Sequence, residues 1–202
     1  MSLPDPGFEA WKRALFAAFP SPVDTPWGPA GGKRQSAVLV PFFPGPSGPR
    51  LLFLRRSANL RHHAGEICFP GGMREEQDFG PLSTALREAE EETGIPRSLV
   101  RPAGIIEPEY AVVSTASVLP VIALVEGFDP GSLRLSPGEI EGACFADVEK
   151  FPSLPVSKTF SVEGKEHEYP EYRLDNGWLV WGVTARILRR VLARLKGGEP
   201  HA

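Results

Sequence analysis

Cysteine is scarce in this chain: Cys68 and Cys144 are the only two. Two thiols cannot make a disulfide framework, and this pair has no zinc-ligand spacing, so a reducing cytoplasm and buried, unreactive thiols are expected. Long apolar runs are missing too, and none approaches the ~20 residues that a membrane span requires. Asp5 and Glu9 precede the first apolar face, unlike the basic start of a secretory signal. Charge of one sign is absent, since a formal net charge of -3 gives no basic surplus for nucleic acid or a membrane surface. There is no internal repeat and no low-complexity tract beyond Pro/Gly loops.

What is present suits one globular domain. The 202 residues are enough to bury a sizeable core, and 22 prolines with 21 glycines indicate many turns. The expected organisation is a single domain over 1–202, with an N-terminal helix and Pro/Gly-rich lead-in over 1–35 and a core over 36–195. Apolar residues at Phe8, Trp11, Leu15, Ala18 and Phe19 follow helical spacing. Ser36 to Phe43 and Leu51 to Leu54 read as neighbouring antiparallel strands joined by a turn-rich connection. A short strand over Glu66 to Phe69 is expected to end at Pro70-Gly71-Gly72. A helix then starts near Pro81 and stops at Gly94, with Pro96 just beyond. Strands follow over Gly104 to Val113, Ser117 to Val125 and Ala143 to Val148. A hairpin around Glu163-Gly164-Lys165, a last strand over Trp178 to Trp181 and an amphipathic helix over Val183 to Leu195 complete the chain. Trp178 and Trp181 are expected in the core. Helices and strands in this order predict an α/β fold with a mixed β-sheet covered by helices.

The helix over Pro81 to Thr93 is unusually acidic. At ~100° per residue, Leu82, Ala85, Leu86, Ala89 and Thr93 make a buried stripe, while Glu88, Glu91 and Glu92 share a face between ~180° and ~280°. Carboxylates at i, i+3 and i+4 repel by roughly 0.2–0.5 kcal/mol per pair. A solvated acidic face with Arg87 pairing to Glu91 is one reading. A divalent cation is the other, because hard oxygen donors without His or Cys suit Mg²⁺ or Mn²⁺ completed by substrate phosphate. The cationic run Arg55, Arg56, Arg61, His62 and His63 admits two readings as well. It is a solvated face, or it holds phosphates, for which forked arginine hydrogen bonds are well suited.

Gly72 followed by Arg87-Glu88-Ala89-Glu90-Glu91-Glu92-Thr93-Gly94-Ile95 resembles the Nudix box. Every fixed position of its second half is matched; in its first half Asp78 stands where the box has Glu, and one extra residue precedes Arg87. Upstream, Arg56-Ser57, Arg61, Gly65 and Phe69-Pro70-Gly71-Gly72 are similar to the signature of the coenzyme A pyrophosphatase branch. That branch tolerates the Asp and the insertion, and Trp181 to Leu188 resembles it too. The resemblance implies a Nudix-type α/β/α sandwich. It implies Mg²⁺- or Mn²⁺-dependent hydrolysis of coenzyme A, free, acylated or oxidised, to 3′,5′-ADP and 4′-phosphopantetheine. It makes Glu88 and Glu92 direct metal ligands, Glu91 a third ligand or partner through water, and the Gly72 carbonyl a further donor. The general base is a box glutamate such as Glu91 or a later acid, Glu139, with Glu107 and Glu109 behind it. Arg55, Arg56, Arg61 and His63 are then the substrate-phosphate residues, and Arg87 ties its helix to a neighbouring acid. Hydrolysis of ADP-ribose or a nucleotide sugar, or a non-catalytic nucleotide-sensing module, are the competing readings.

Overall fold

The computed structural model describes residues 6–20, 25–31, 33–110, 116–152, 155–162 and 165–197. Its first element is helix α1 (Pro6–Ala18), followed by strands β1 (Arg34–Phe43), β2 (Arg50–Arg56), β3 (Ile67–Cys68) and β4 (Gly71–Met73). Helix α2 (Pro81–Thr93) comes next, then β5 (Val100–Ile105), β6 (Glu109–Tyr110), β7 (Ala116–Val125) and β8 (Ile140–Asp147). Strands β9 (Val156–Val162), β10 (Lys165–Arg173) and β11 (Leu179–Val180) precede the last helix, α3 (Gly182–Leu195).

The main sheet runs β3-β2-β1-β7-β5, with β4 pairing onto β1, β6 onto β7 and β8 onto β2. It is mixed: β1 and β7 are parallel, whereas β1 pairs antiparallel with β2 and β4. A second sheet, β11-β10-β9, contains the expected hairpin, although residues 163 and 164 of its turn lie outside the described residues, as do 111–113 of the strand expected after Gly104.

Alternation along the strands divides the interior into two sides. Val40, Phe42, Leu51, Phe53, Ile122 and Leu124 point toward the side holding α1 and α3, where they meet Leu15, Ile187, Leu188 and Val191. Ala37, Leu39, Val121 and Ala123 point the other way and pack on Ala85 and Ala89 of α2. Small residues on both partners let α2 lie close to β1. Beside this patch, Phe43, Leu52, Leu54 and Val125 pack with Ile95, just past the helix end. The result is the expected α/β/α sandwich. Among the described residues, no helix is long and apolar enough to cross a membrane.

Two expectations need correction. The chain does not leave the sheet at Gly71-Gly72: Gly71–Met73 is itself a strand, with Ala37 opposite Gly72 and Val38 opposite Gly71. A Cβ on Gly71 would run into the Ala37 carbonyl and Val38 Cα, so glycine permits this close strand contact. Trp181 is 45% exposed rather than core, with its ring against Tyr169, whereas Trp178 packs on the main core. The acids of α2 keep their expected shared face but are unequally buried. Glu92 is buried at 4% exposure while Glu91 is exposed, because β4 packs against the helix at Glu92.

Candidate active site

Helix α2 is set by its ends. Pro81 occupies its first turn, the Ser83 hydroxyl exchanges hydrogen bonds with the Gly80 backbone, and Gly94 closes it in the left-handed region at φ 70. Between these ends, Arg87 is the hub of the upstream loop. Its Nη2 donates to Asp78 Oδ2 at 2.9 Å and to the Met73 carbonyl at 2.9 Å, and its Nε donates to Asp78 Oδ1 at 3.3 Å. Asp78 also accepts from the Glu75 N–H and the Thr84 hydroxyl. Burial opposes ionisation of this carboxyl, but the Arg87 guanidinium, the Glu75 N–H and the Thr84 hydroxyl outweigh it and hold Asp78 below its ordinary 3.8. Asp78 therefore provides an acid for Arg87 despite its shorter side chain and the extra residue before Arg87. The expectation that Arg87 ties its helix to a neighbouring acid agrees with this geometry.

Three chain-distant pieces meet the second half of α2. From β4, the Gly71 N–H donates to Glu92 Oε2 at 2.9 Å. From the end of β2, Arg56 Nη1 lies 3.7 Å from Glu92 Oε1. From the loop before β8, the Arg134 N–H binds the Thr93 carbonyl and the Ser136 N–H binds the Glu92 carbonyl. The same loop carries Glu139, whose carboxylate accepts from the Ser136 hydroxyl and whose carbonyl accepts from the Ser57 N–H.

The carboxylates so gathered act on one another. Burial pushes Glu92 up to about 7; the Gly71 N–H and Arg56 oppose this, and the charges of Glu88 and Glu139 add to it. Glu88 is raised too, by burial first, with Arg87 opposing and Glu91 and Glu139 adding. Concentrated negative charge of this kind lacks sufficient local cation, and a divalent ion would supply it. Gly72 fits the same purpose, since a Cβ there would overlap the Glu88 carboxylate. Among the described residues, no group of three or more His, Cys, Asp or Glu side chains is arranged to hold a metal ion. Mg²⁺ is commonly held by one or two carboxylates, with waters and substrate phosphate completing its shell, so an open set of hard oxygen donors is compatible with it.

The structure separates some residues that adjacency in sequence had grouped. Arg55 and Arg56 are consecutive on a strand and point to opposite faces. Arg56 joins Glu92 on the α2 side, while Arg55 pairs with Glu141 at 2.7 Å on the other. Arg61 and His62 are exposed in the excursion between β2 and β3, and His63 Nδ1 lies 3.0 Å from Glu66 at a left-handed φ of 57. No single clamp of five cations forms. Glu91 stands at the open rim, accepting from Arg87 Nη1 at 3.2 Å. Glu107 and Glu109 are held by α3: Glu107 by Arg194 at 2.7 Å, and Glu109 by Arg186 at 2.9 Å and Arg190 at 2.7 Å. Both are held in ion pairs with α3, whereas the charge of Glu139 acts on Glu88 and Glu92.

Sequence reasoning missed Thr84, which supports Asp78, and the position of Cys68 beside Glu92. Burial pushes the Cys68 thiol up to about 12, with Glu92 adding and Arg56 opposing, so it is protonated at neutral pH. Spacing of three residues or four along α2 relates Thr84 to Arg87 and Glu88, and this is the one sequence signal that pointed to it.

Comparison with known proteins identifies the family of this chain. The family model for the NUDIX domain matches residues 33–163. A protein of Pectobacterium atrosepticum named "Uncharacterized Nudix hydrolase NudL" is 34% identical over 171 residues, covering 83% of this chain and 85% of that one. Its Escherichia coli namesake is 35% identical over 172 residues, covering 80% and 83%. Among solved structures, a NUDIX hydrolase from Nitrosomonas europaea matches with a TM-score of 0.55 at 14% identity, covering 83% of this chain and 74% of that one. A MutT/nudix family protein from Enterococcus faecalis matches with a TM-score of 0.54 at 14% identity, covering 96% and 71%. These last two likenesses show the shared fold.

Proposed function

The chain belongs to the Nudix hydrolase family, and from that membership we propose that it hydrolyses the diphosphate bond of coenzyme A, free, acylated or oxidised, to 3′,5′-ADP and 4′-phosphopantetheine. The observation that carries the reading of the site is the placement of Glu88 and Glu92 against the Gly71-Gly72 strand, with the charge of Glu139 acting on both. What supports coenzyme A as substrate is the resemblance of Arg56-Ser57 through Phe69-Pro70-Gly71-Gly72 to the coenzyme A pyrophosphatase branch, together with Asp78 serving Arg87 across the one-residue insertion. The reading treats 36–195 as one catalytic unit with 1–35 as its lead-in.

Mg²⁺ or Mn²⁺ held by Glu88, Glu92 and the Gly72 carbonyl, with Glu91 directly or through water, would neutralise diphosphate oxygens and acidify a water. The chain's own groups do the rest. Glu139 or Glu91 takes the water proton as its oxygen attacks phosphorus; the phosphoanhydride bond breaks, and the leaving phosphate departs with the electron pair. Arg56 is the cation paired with Glu92, and its side chain is 28% exposed, so its guanidinium can donate outward. That donor suits a phosphate oxygen. In this reading Arg61 and His63, exposed on the excursion whose Ser57 N–H donates to the Glu139 carbonyl, bind outer phosphates, including the 3′-phosphate of coenzyme A.

Mass spectrometry of products after incubation with coenzyme A, and in parallel with ADP-ribose, in Mg²⁺ or Mn²⁺ tests the proposal. The expected result is 3′,5′-ADP and 4′-phosphopantetheine, formed at least tenfold faster than ADP-ribose is cleaved. Equal or reversed preference overturns the substrate, and no turnover of either overturns the catalytic reading.

A further inference from the structure

A cleft of ≈ 480 Å³ opens on the α2 side of the sheet, at the N-terminal end of that helix, lined among others by Pro26, Trp27, Lys33, Gln35, Tyr110 and Ser117. Its size falls within the roughly 300–1,000 Å³ usual for small-ligand sites. The lead-in chain is fastened here rather than loosely draped. The Trp27 N–H binds the Phe79 carbonyl, Trp27 Nε1 donates to the Thr84 hydroxyl at 3.3 Å, and Gln35 Nε2 donates to the Gly28 carbonyl at 2.8 Å. Trp27 is thereby held in place, and Tyr110 beyond it is 49% exposed.

Two cations beside the cleft meet aromatic rings rather than carboxylates. Arg55, Arg56, Arg87, Arg97, Arg186, Arg190 and Arg194 all face carboxylates. Lys33 and Arg74 do not: among the described residues neither has a carboxylate partner. Lys33 Nζ lies 3.6 Å from the centre of the Tyr110 ring, and the Arg74 guanidinium lies 5.8 Å from that of Trp27. Among the described residues, no acidic side chain lines the cleft. Two aromatic rings in the cleft, with Lys33 on its wall and Arg74 beside it on Trp27 and Gln35, suit a planar neutral ring that bears an anionic substituent.

The cleft also adjoins the candidate active site. Arg74 binds Gln35 both through its N–H, at 3.0 Å, and through Nη1, at 2.8 Å. Gln35 lies two residues before Ala37, whose partner across the sheet is Gly72. At ~3.3 Å per residue this is about 7 Å along β1, and both residues face the same side.

We propose that this cleft binds the nucleobase and adjoining phosphate of the substrate's nucleotidyl half, the base lying against Trp27 and Tyr110 and the phosphate near Lys33 and Arg74. The assignment rests on the hydrolase reading for its connection to substrate, but binding is measurable without turnover. Titration calorimetry with adenosine 5′-monophosphate, without divalent metal, is expected to show binding, with ribose 5-phosphate at least tenfold weaker. Tyr110→Ala and Lys33→Gln change exposed side chains, so the fold is kept, and each is expected to weaken adenosine 5′-monophosphate at least threefold. In turnover, both variants raise KM for coenzyme A at least threefold with kcat within twofold of the parent, and adenosine 5′-monophosphate inhibits competitively. The proposal is overturned if the parent does not bind adenosine 5′-monophosphate, if ribose 5-phosphate binds equally well, if both variants bind like the parent, or if inhibition is noncompetitive. Absence of any turnover would count against the hydrolase reading and leave the calorimetric result standing.

Discussion

The proposed chemistry rests, at the scale of single residues, on Glu92 and Gly72. Glu92 is 4% exposed yet sits near two further acids, so its negative charge is a cost that a bound cation would offset. Glu92→Gln keeps an oxygen to accept from Gly71 and removes that charge. We therefore expect its Tm without added metal to equal or exceed the parent's, while the rise in Tm produced by Mg²⁺ or Mn²⁺ disappears and kcat falls by about 10²-fold or more. Differential scanning fluorimetry with and without metal, beside steady-state rates, checks this; a variant that loses Tm without metal and keeps the metal response would contradict it. Gly72→Ala places a methyl where the Glu88 carboxylate lies. Activity is expected to fall at least tenfold with the circular dichroism spectrum unchanged. The acids themselves were legible from their helical spacing, but their unequal burial was not, since it depends on which strand lies against the helix.

Ion pairs between elements decide what each helix holds in place. Asp78 joins the loop after β4 to Arg87 of α2, and its carboxyl is held below the ordinary 3.8. A depressed value contributes stability that is present above 3.8 and is lost as pH falls through the folded value. Asp78→Asn should destabilise the protein at pH 7 by about 3 kcal/mol, as expected for breaking a buried pair. Urea unfolding across pH should show this difference shrinking below pH 3.8; a difference constant with pH would refute the ionic account. Glu109, whose side chain is 7% exposed, holds Arg186 and Arg190 of α3. Arg186→Ala leaves it one cation, so a loss of about 1–3 kcal/mol is expected from urea unfolding, with little change in kcat. Apolar periodicity predicted α1, α2 and α3, and alternation predicted most strands. The strand Gly71–Met73 escaped because glycine has little strand propensity of its own, and only pairing with β1 makes it one. Arg55 and Arg56 looked like one cluster because a linear reading ignores the two-residue repeat that separates them across the sheet.

For the whole molecule, the sandwich places one helix over the sheet face where β1, β4 and the loop before β8 converge, and the other two behind it. If the cation site forms there as proposed, the parent's Tm should rise with Mg²⁺ concentration in the logarithmic manner of ligand linkage, and Glu139→Gln, whose carboxylate is exposed, should retain that rise while losing at least tenfold in kcat. Thermal scans over a metal series test this; loss of the rise would make Glu139 a ligand instead of a base. The sequence alone was sufficient for the α/β class, the helix and its caps, and the family resemblance, because periodicity, turn chemistry and motif spacing are local along the chain. Tertiary structure alone decided that Glu92 is buried, that Asp78 meets Arg87, that Arg55 and Arg56 part, and that Glu139, unlike Glu107 and Glu109, faces the acids of α2. Each of those outcomes depends on which distant backbone packs alongside, and that is set by the pairing of strands and the seating of α2 on small residues of β1.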